Sequence, residues 1–325
     1  MSLVKIGFIG AGGLSSRRIY PCLKYAPISL EAVCDLDQAK AEKNARLFGG
    51  KRVYTDHRKM FDELDLDAVI VCVAPQIHSQ LAIEAMERGL HVYTEKPPAV
   101  TAADAKRVLD VSRRTGKTCM TAFKKRFAPA YQKAKKFIEE EGGGLTLLSV
   151  DYCSGFYRND PDNPRSQFLL DFTIHLIDLT RFLGGEVAEV HAFSPDPSTY
   201  AISLRFQSGA VGTLAFSSNR SWNVSTEKVE LTGFSNHFAT IENSTELHAF
   251  VDDRIALWHK PSFSTSVGDS LIETGFAGEI VEFATAIQQN REPESSIASS
   301  YRTMLLYEAI LEAAVKQDRI QVPAG

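Results

Sequence analysis

Hydrophobic positions along the chain follow two regimes. Over the first 120 residues, short apolar runs alternate with amphipathic stretches. Residues 4–9 read as a strand followed by glycines and a helix-compatible stretch, and residues 30–34 as a second strand. Asp37 is placed to cap a helix running to about Phe48, where Gly49 and Gly50 stop it. Residues 69–73 form a continuous apolar run, the pattern of a parallel strand buried on both faces. A helix over 77–88, a strand over 91–94 and a helix opened by Thr101 follow, with Asp104 as a capping-box-like partner. In that helix Ala105, Val108, Leu109 and Ser112 make an i, i+3, i+4, i+7 stripe. A strand over 118–123 completes the series. Strand and helix alternating at this pitch predict a parallel sheet with helices on both faces.

The pattern changes after about residue 125. A charged helix over 128–141 runs into Gly142-Gly143-Gly144, a flexible breaker. Tyr200, Ile202, Leu204 and Phe206 then alternate with Ala201, Ser203 and Arg205, and Ser208-Gly209 turns the chain into a strand over 210–216. Strands over 228–233, 238–241, 247–251 and 255–258, with Asp252-Asp253 as a tight turn, predict an antiparallel sheet. The tail, 278–289 and 299–316, reads as helical. A chain of 325 residues suits two domains, placed at 1–123 and 124–325.

Composition narrows the function. Lys plus Arg is 36 against 40 Asp plus Glu, a formal net charge of −4 with no basic block, which argues against a nucleic-acid or anionic-membrane surface. The longest apolar runs, such as 68–74, fall far short of the ~20 residues a membrane span needs. No charged-then-apolar leader is read at the start, so a cytoplasmic location is expected. The five cysteines are widely spaced, with no C-x-x-C or Cys/His cluster, which supports neither disulfides nor a metal site.

Four features carry candidate chemistry. Gly10-Ala11-Gly12-Gly13-Leu14-Ser15 follows the first strand and opens a helix, the context of a dinucleotide-binding turn. Asp35 ends the second strand, where a carboxylate accepts the ribose hydroxyls of NAD and repels a 2′-phosphate, so NAD is favoured over NADP. Lys96, in Glu95-Lys96-Pro97, lies at the C-terminal end of a strand, with a cation and three donors for a substrate hydroxyl or developing alkoxide. A helix over 168–183 is apolar around nearly its whole circumference except for Asp171, His175 and Asp178. At 100° per residue these three form one polar stripe, in which Asp171 would help orient His175 as an acid/base. A hydrogen-bonded core histidine is an equal reading of that segment alone.

Taken together, these segments resemble a known family. Gly10-Ala11-Gly12, Asp35, Val71-Cys72-Val73-Ala74-Pro75 with His78, Glu95-Lys96-Pro97, Phe123 with Arg126-Phe127, and Asp171-x-x-x-His175-x-x-Asp178 occur in the order of the glucose-fructose oxidoreductase/inositol dehydrogenase/rhizopine-catabolism (Gfo/Idh/MocA) oxidoreductases. The resemblance spans nearly the whole chain. It implies an α/β protein: an N-terminal Rossmann domain with a doubly wound parallel sheet, then a C-terminal α/β domain with a large open, mainly antiparallel sheet. It implies hydride transfer between NAD, or NADP, and a sugar, inositol or related polyol. Lys96 would hold the reacting oxygen, His175 would exchange the proton, and Asp171 would orient His175 or bind substrate. The cofactor contacts implied are Gly10, Gly12, Gly13, Leu14, Asp35, Cys72, Ala74, Pro75, His78, Glu95 and Lys96. Departures occur at Ser166-Gln167-Phe168-Leu169-Leu170, where many members are glycine-rich, and at Gln76 and Ala122.

Lys124, Arg126, Tyr157, Arg158 and Arg165 are candidate substrate contacts, the last three in or beside a polar loop before the Asp171 helix. Leu214, Phe216, Phe250 and Trp258 are assigned to the open face of the second sheet, which predicts a homodimer or homotetramer. Two rival functions stand beside the dehydrogenase: a cofactor-binding sensor without turnover, and a redox-neutral NAD-dependent glycoside-cleaving enzyme.

Overall fold

The structure is a computed structural model. It describes residues 2–157, 160, 162–164, 167–260 and 267–325, with the backbone alone at 267–269. The chain divides into two compact units, residues 1–122 with 276–301, and residues 123–275 with 302–325.

The first unit is built on a parallel sheet of β1 (Val4–Ile9), β2 (Ile28–Cys34), β3 (Arg52–Tyr54), β4 (Ala68–Val71), β5 (His91–Thr94) and β6 (Cys119–Thr121), in the order β3-β2-β1-β4-β5-β6. The order reverses between β1 and β4, the switch point at which doubly wound sheets bind ligands. Its helices are α1 (Gln38–Phe48), α2 (His57–Glu63), α3 (His78–Glu87) and α4 (Ala102–Thr115). Caps act as the sequence implies: the Asp37 carboxylate accepts the Lys40 N–H (3.2 Å), and Thr101 Oγ1 accepts the Asp104 N–H (3.1 Å). All four residues of β4 are buried, as a central parallel strand requires. The Cys22, Cys34 and Cys119 thiols are buried, and burial pushes each up to about 12, so they stay protonated and inert.

The segment after the glycine turn is not a regular α-helix. A π-helical turn, Ser15–Ile19, passes into a 3₁₀ turn, Tyr20–Tyr25. Pro21 lacks the N–H that would continue the helix, and Tyr20 stacks between Phe8 (3.9 Å) and Phe48 (5.1 Å).

The second unit opens with α5 (Pro129–Glu140) and a nine-stranded sheet begins at β7 (Leu147–Gly155). After α6 (Ile174–Gly184) come β8 (Val187–Asp196), β9 (Thr199–Phe206), β10 (Val211–Arg220), β11 (Thr226–Thr232), β12 (His237–Glu242), β13 (Glu246–Val251) and β14 (Arg254–His259). α7 (Val267–Glu273), α8 (Phe276–Gln288), α9 (Ile297–Lys316) and β15 (Ile320–Gln321) complete the chain. The strand order is β14-β13-β12-β11-β7-β10-β9-β8-β15, antiparallel throughout except for the β7–β10 pair.

One face of this sheet packs under α5 and α6. Leu214 and Phe216 lie on that inner face, each 1% exposed, so their assignment to the open face is corrected. Their alternation marks a shared face, but the helices cover it. Phe238 and Trp258 are exposed on the other face. There Phe238 stacks on Phe250 at 4.7 Å and His248 on Trp258 at 5.7 Å.

A single boundary at 123/124 does not describe the chain. α8 buries Ile280, Phe283 and Ala284 within the first unit, and Phe283 packs edge-on against Tyr93 of β5 at 5.7 Å. Ser295 then accepts the Thr121 N–H (2.9 Å) and donates its hydroxyl to Thr121 O (2.8 Å), tying the returning segment to β6. The sequence places residues 276–301 in the second domain because helices carry no local mark of the sheet they pack on.

Candidate active site

In the first unit, β1 ends at Gly10. Its φ is +105°, and a Cβ there would lie 2.1 Å from the Cys72 carbonyl oxygen, so only glycine fits. A Cβ at Gly12 would meet nothing within 4 Å, leaving open space at the turn. Gly13 and Leu14 follow on the exposed side. At the end of β2 the Asp35 carboxylate accepts the Ala11 N–H through Oδ2 (2.6 Å) and the Asp37 N–H through Oδ1 (2.9 Å). Two backbone donors thus fix Asp35 beside the glycine turn. An open turn backed by a fixed carboxylate is a setting that fits a dinucleotide.

Beyond β4, Cys72 is buried and donates its N–H to Ile9 O (2.9 Å), while Ala74 leads into a 3₁₀ turn at Pro75–Ile77. His78 is fully buried. Its Nδ1–H donates to the Pro97 carbonyl (2.8 Å), so it braces the loop after β5. β5 delivers a buried Glu95 and a part-exposed Lys96 at the C-terminal edge of the sheet, and the Lys96–Pro97 peptide is cis. Glu95 Oε2 accepts the Lys96 N–H at 3.1 Å. Behind them, burial and the nearby Glu279 charge hold the Tyr93 hydroxyl well above its ordinary range. Glu279, on α8, is wholly buried and was not singled out from sequence.

In the second unit, a 3₁₀ turn at Lys124–Phe127 carries three cations. Lys124 is part-exposed. Lys125 is buried and donates to both Glu227 oxygens (2.6 Å each) and to Ser244 Oγ (2.9 Å). Burial alone would raise the Glu227 carboxyl; the Lys125 charge and the hydrogen bonds from Ser244 and Tyr131 outweigh it and hold it below the usual range. Arg126 donates through Nε and Nη2 to Asp178 (2.7 and 2.6 Å), and Asp178 also accepts the Thr303 hydroxyl (2.9 Å). Arg126 is therefore consumed in a buried ion pair, which corrects its expected role as a substrate contact. Asp178 is a packing residue of α6.

The helix over 168–183 is interrupted. Phe168–Phe172 is a π-helical turn, and α6 begins only at Ile174. Thr173, between them, donates its hydroxyl back to Leu169 O (3.2 Å). The 100° spacing between Asp171 and His175 does not apply across this break. The Asp171 carboxylate accepts the Tyr157 hydroxyl. His175 is part-exposed on α6, with the Phe123 ring edge-on at 6.2 Å. Phe168 and Phe172 of the π turn pack in one aromatic group with Tyr157 and Trp222. Trp222, half-exposed, was missed because it lies 50 residues from Phe172 in sequence with no motif around it. Arg158 and Arg165 lie outside the described residues.

Two family profiles match the chain. "Oxidoreductase family, NAD-binding Rossmann fold" covers residues 4–123, and "GFO/IDH/MocA C-terminal domain" covers residues 128–234. A 4-carboxy-2-hydroxymuconate-6-semialdehyde dehydrogenase of Sphingobium sp. is 27% identical over 97% of this chain and 99% of its own length. A levoglucosan dehydrogenase of Pseudarthrobacter phenanthrenivorans is 26% identical over 99% of each chain. A solved levoglucosan dehydrogenase with NADH and levoglucosan superposes with a TM-score of 0.85, covering 99% of this chain and 100% of that one at 24% identity, which shows a common fold. Together, the glycine turn with Asp35, the strand order and the two profiles show that the chain belongs to the Gfo/Idh/MocA oxidoreductase family, with an NAD-binding Rossmann domain and that family's C-terminal domain.

Proposed function

We propose that the protein is an NAD-dependent dehydrogenase that oxidises a hydroxyl of a sugar, inositol or related polyol, or reduces the corresponding carbonyl. The observation that carries this reading is within the first unit. One sheet edge presents both the dinucleotide cradle of Gly10, Gly12 and Asp35 and the ammonium of Lys96. Bound NAD supplies the hydride-accepting carbon. Lys96 Nζ donates to the substrate oxygen and stabilises the negative charge that develops as the C–H bond breaks. His175 takes the hydroxyl proton in oxidation and returns it in reduction. Asp171, tied to Tyr157, binds substrate or orients His175.

Substrate contacts are assigned to Lys124 and Tyr157. The relative named for levoglucosan supports a sugar-derived substrate. The open aromatic face of the second sheet supports a homodimer or homotetramer. Among the described residues, no helix is long and apolar enough to cross a membrane.

The test is NADH formation across a panel of inositols, aldoses, anhydrosugars and their acids, with His175→Ala as control. Turnover of at least one neutral polyol or sugar, lost in the variant, is expected. NADH binding without turnover on any member favours the sensor reading, and sugar release without net NADH favours glycoside cleavage.

A further inference from the structure

We infer that Arg17 is a phosphate-binding residue for the dinucleotide, closing over the glycine turn onto the pyrophosphate; the inference rests on the NAD-binding reading of the first unit. Arg17 lies in the π-helical turn Ser15–Ile19, four residues beyond Gly13. Helical side chains lean toward the N-terminus, so this one runs back along the turn. Its guanidinium lies against Gly13: a Cβ there would stand 3.2 Å from Nη2 and 3.5 Å from both Cζ and Nη1. The guanidinium therefore lies over Gly13, while Gly12 beside it leaves open space.

The surroundings leave that cation available. Arg17 is exposed, and among the described residues no carboxylate lies within ion-pair distance of it. Its neighbour Arg18 is engaged elsewhere, over the Phe276 ring at 5.9 Å. The Gly12 carbonyl is turned into the helix, where it accepts from Ser15 Oγ (2.9 Å), Ser16 Oγ (2.7 Å) and the Ser16 N–H (3.0 Å). A guanidinium offers paired donors in a fixed fork that matches two phosphate oxygens. The charge sits at the glycine turn, whereas the ribose end is held by Asp35, so it addresses the pyrophosphate rather than a 2′-phosphate.

Titration of the full-length chain with NADH, ADP-ribose and adenosine tests this, using wild type, Arg17→Gln, Arg17→Lys and Arg18→Gln, each checked for an unchanged melting temperature. Arg17→Gln is expected to weaken NADH and ADP-ribose by about tenfold and to leave adenosine unchanged. Arg17→Lys should fall between, and Arg18→Gln should match wild type. Equal NADH affinity in wild type and Arg17→Gln overturns the assignment, as does an equal loss for adenosine, which carries no phosphate. A wild-type chain that binds neither NADH nor ADP-ribose overturns the cofactor reading itself, and the Arg17 role with it.

Discussion

Arg126 holds Asp178 through two N–H···O contacts of 2.7 and 2.6 Å, with both side chains withdrawn from solvent. The pair links the turn that begins next to Phe123 to the helix that carries His175, one helical turn before Asp178. Removing one partner leaves a buried charge without its counter-ion. Asp178→Ala is therefore expected to lower unfolding free energy by about 3–5 kcal/mol, read from urea denaturation. Arg126→Lys, which loses the fork geometry, should be milder. A loss below about 1 kcal/mol for Asp178→Ala, typical of an exposed pair, would contradict the buried-clamp account.

Asp35 is expected to set cofactor choice. Two negative charges ~4 Å apart repel by about 4 kcal/mol at an effective dielectric of ~20, so a 2′-phosphate beside this carboxylate is strongly disfavoured. Fluorescence titration should show NADH binding at least about tenfold tighter than NADPH, with the gap narrowed in Asp35→Ser. Tighter NADPH binding by the wild type would defeat the argument.

The aromatic pairs Phe238–Phe250 and His248–Trp258 predict association across the open sheet face. Light scattering at micromolar concentration should report a dimer or tetramer, and Trp258→Glu should shift it toward monomer. A monomeric wild type would exclude this interface.

Acid stability should reflect His91. Its Nδ1 accepts the Thr118 N–H (3.1 Å), and burial, with the Lys117 charge, pushes its pKa down to about 4 from an ordinary 6.5. Between those values the unfolded chain binds a proton that the folded chain does not. The neutral ring's contribution is therefore complete above about pH 6.5 and is lost as pH falls toward 4. Melting temperature should fall over this window and fall less in His91→Asn. Identical pH profiles for the two proteins would remove His91 from the account.

How far the sequence could be read depends on how local each cause is. β5, α1 and α4 were legible because a short apolar run, a capping Asp or Thr and a terminating glycine all lie within a few residues. β3 and α2 were missed, having only three and seven residues and no clear period. The π turns at Ser15–Ile19 and Phe168–Phe172 were invisible because a 3.6-residue template absorbs one extra residue without losing its apolar stripe. For Leu214 and Phe216, alternation fixes a common face but not which face the helices cover. The fate of Arg126 was hidden because Asp178 lies 52 residues away, with nothing local to couple them. Glycines, Asp35 and Lys96 were readable because each sits at a strand end, where the fold itself assigns the position.

In the proposed reaction, hydride leaves an alcohol carbon of a sugar or polyol for NAD while Lys96 holds the oxygen. Its most direct test is mass analysis of NADH formed from a polyol deuterated at the reacting carbon, with wild type and Lys96→Ala compared. The predicted result is one deuterium in the NADH. Its rate of appearance at saturating NAD should fall at least about a hundredfold in the variant. NADH without label, no transfer from any substrate despite NADH binding, or an unimpaired Lys96→Ala would contradict it.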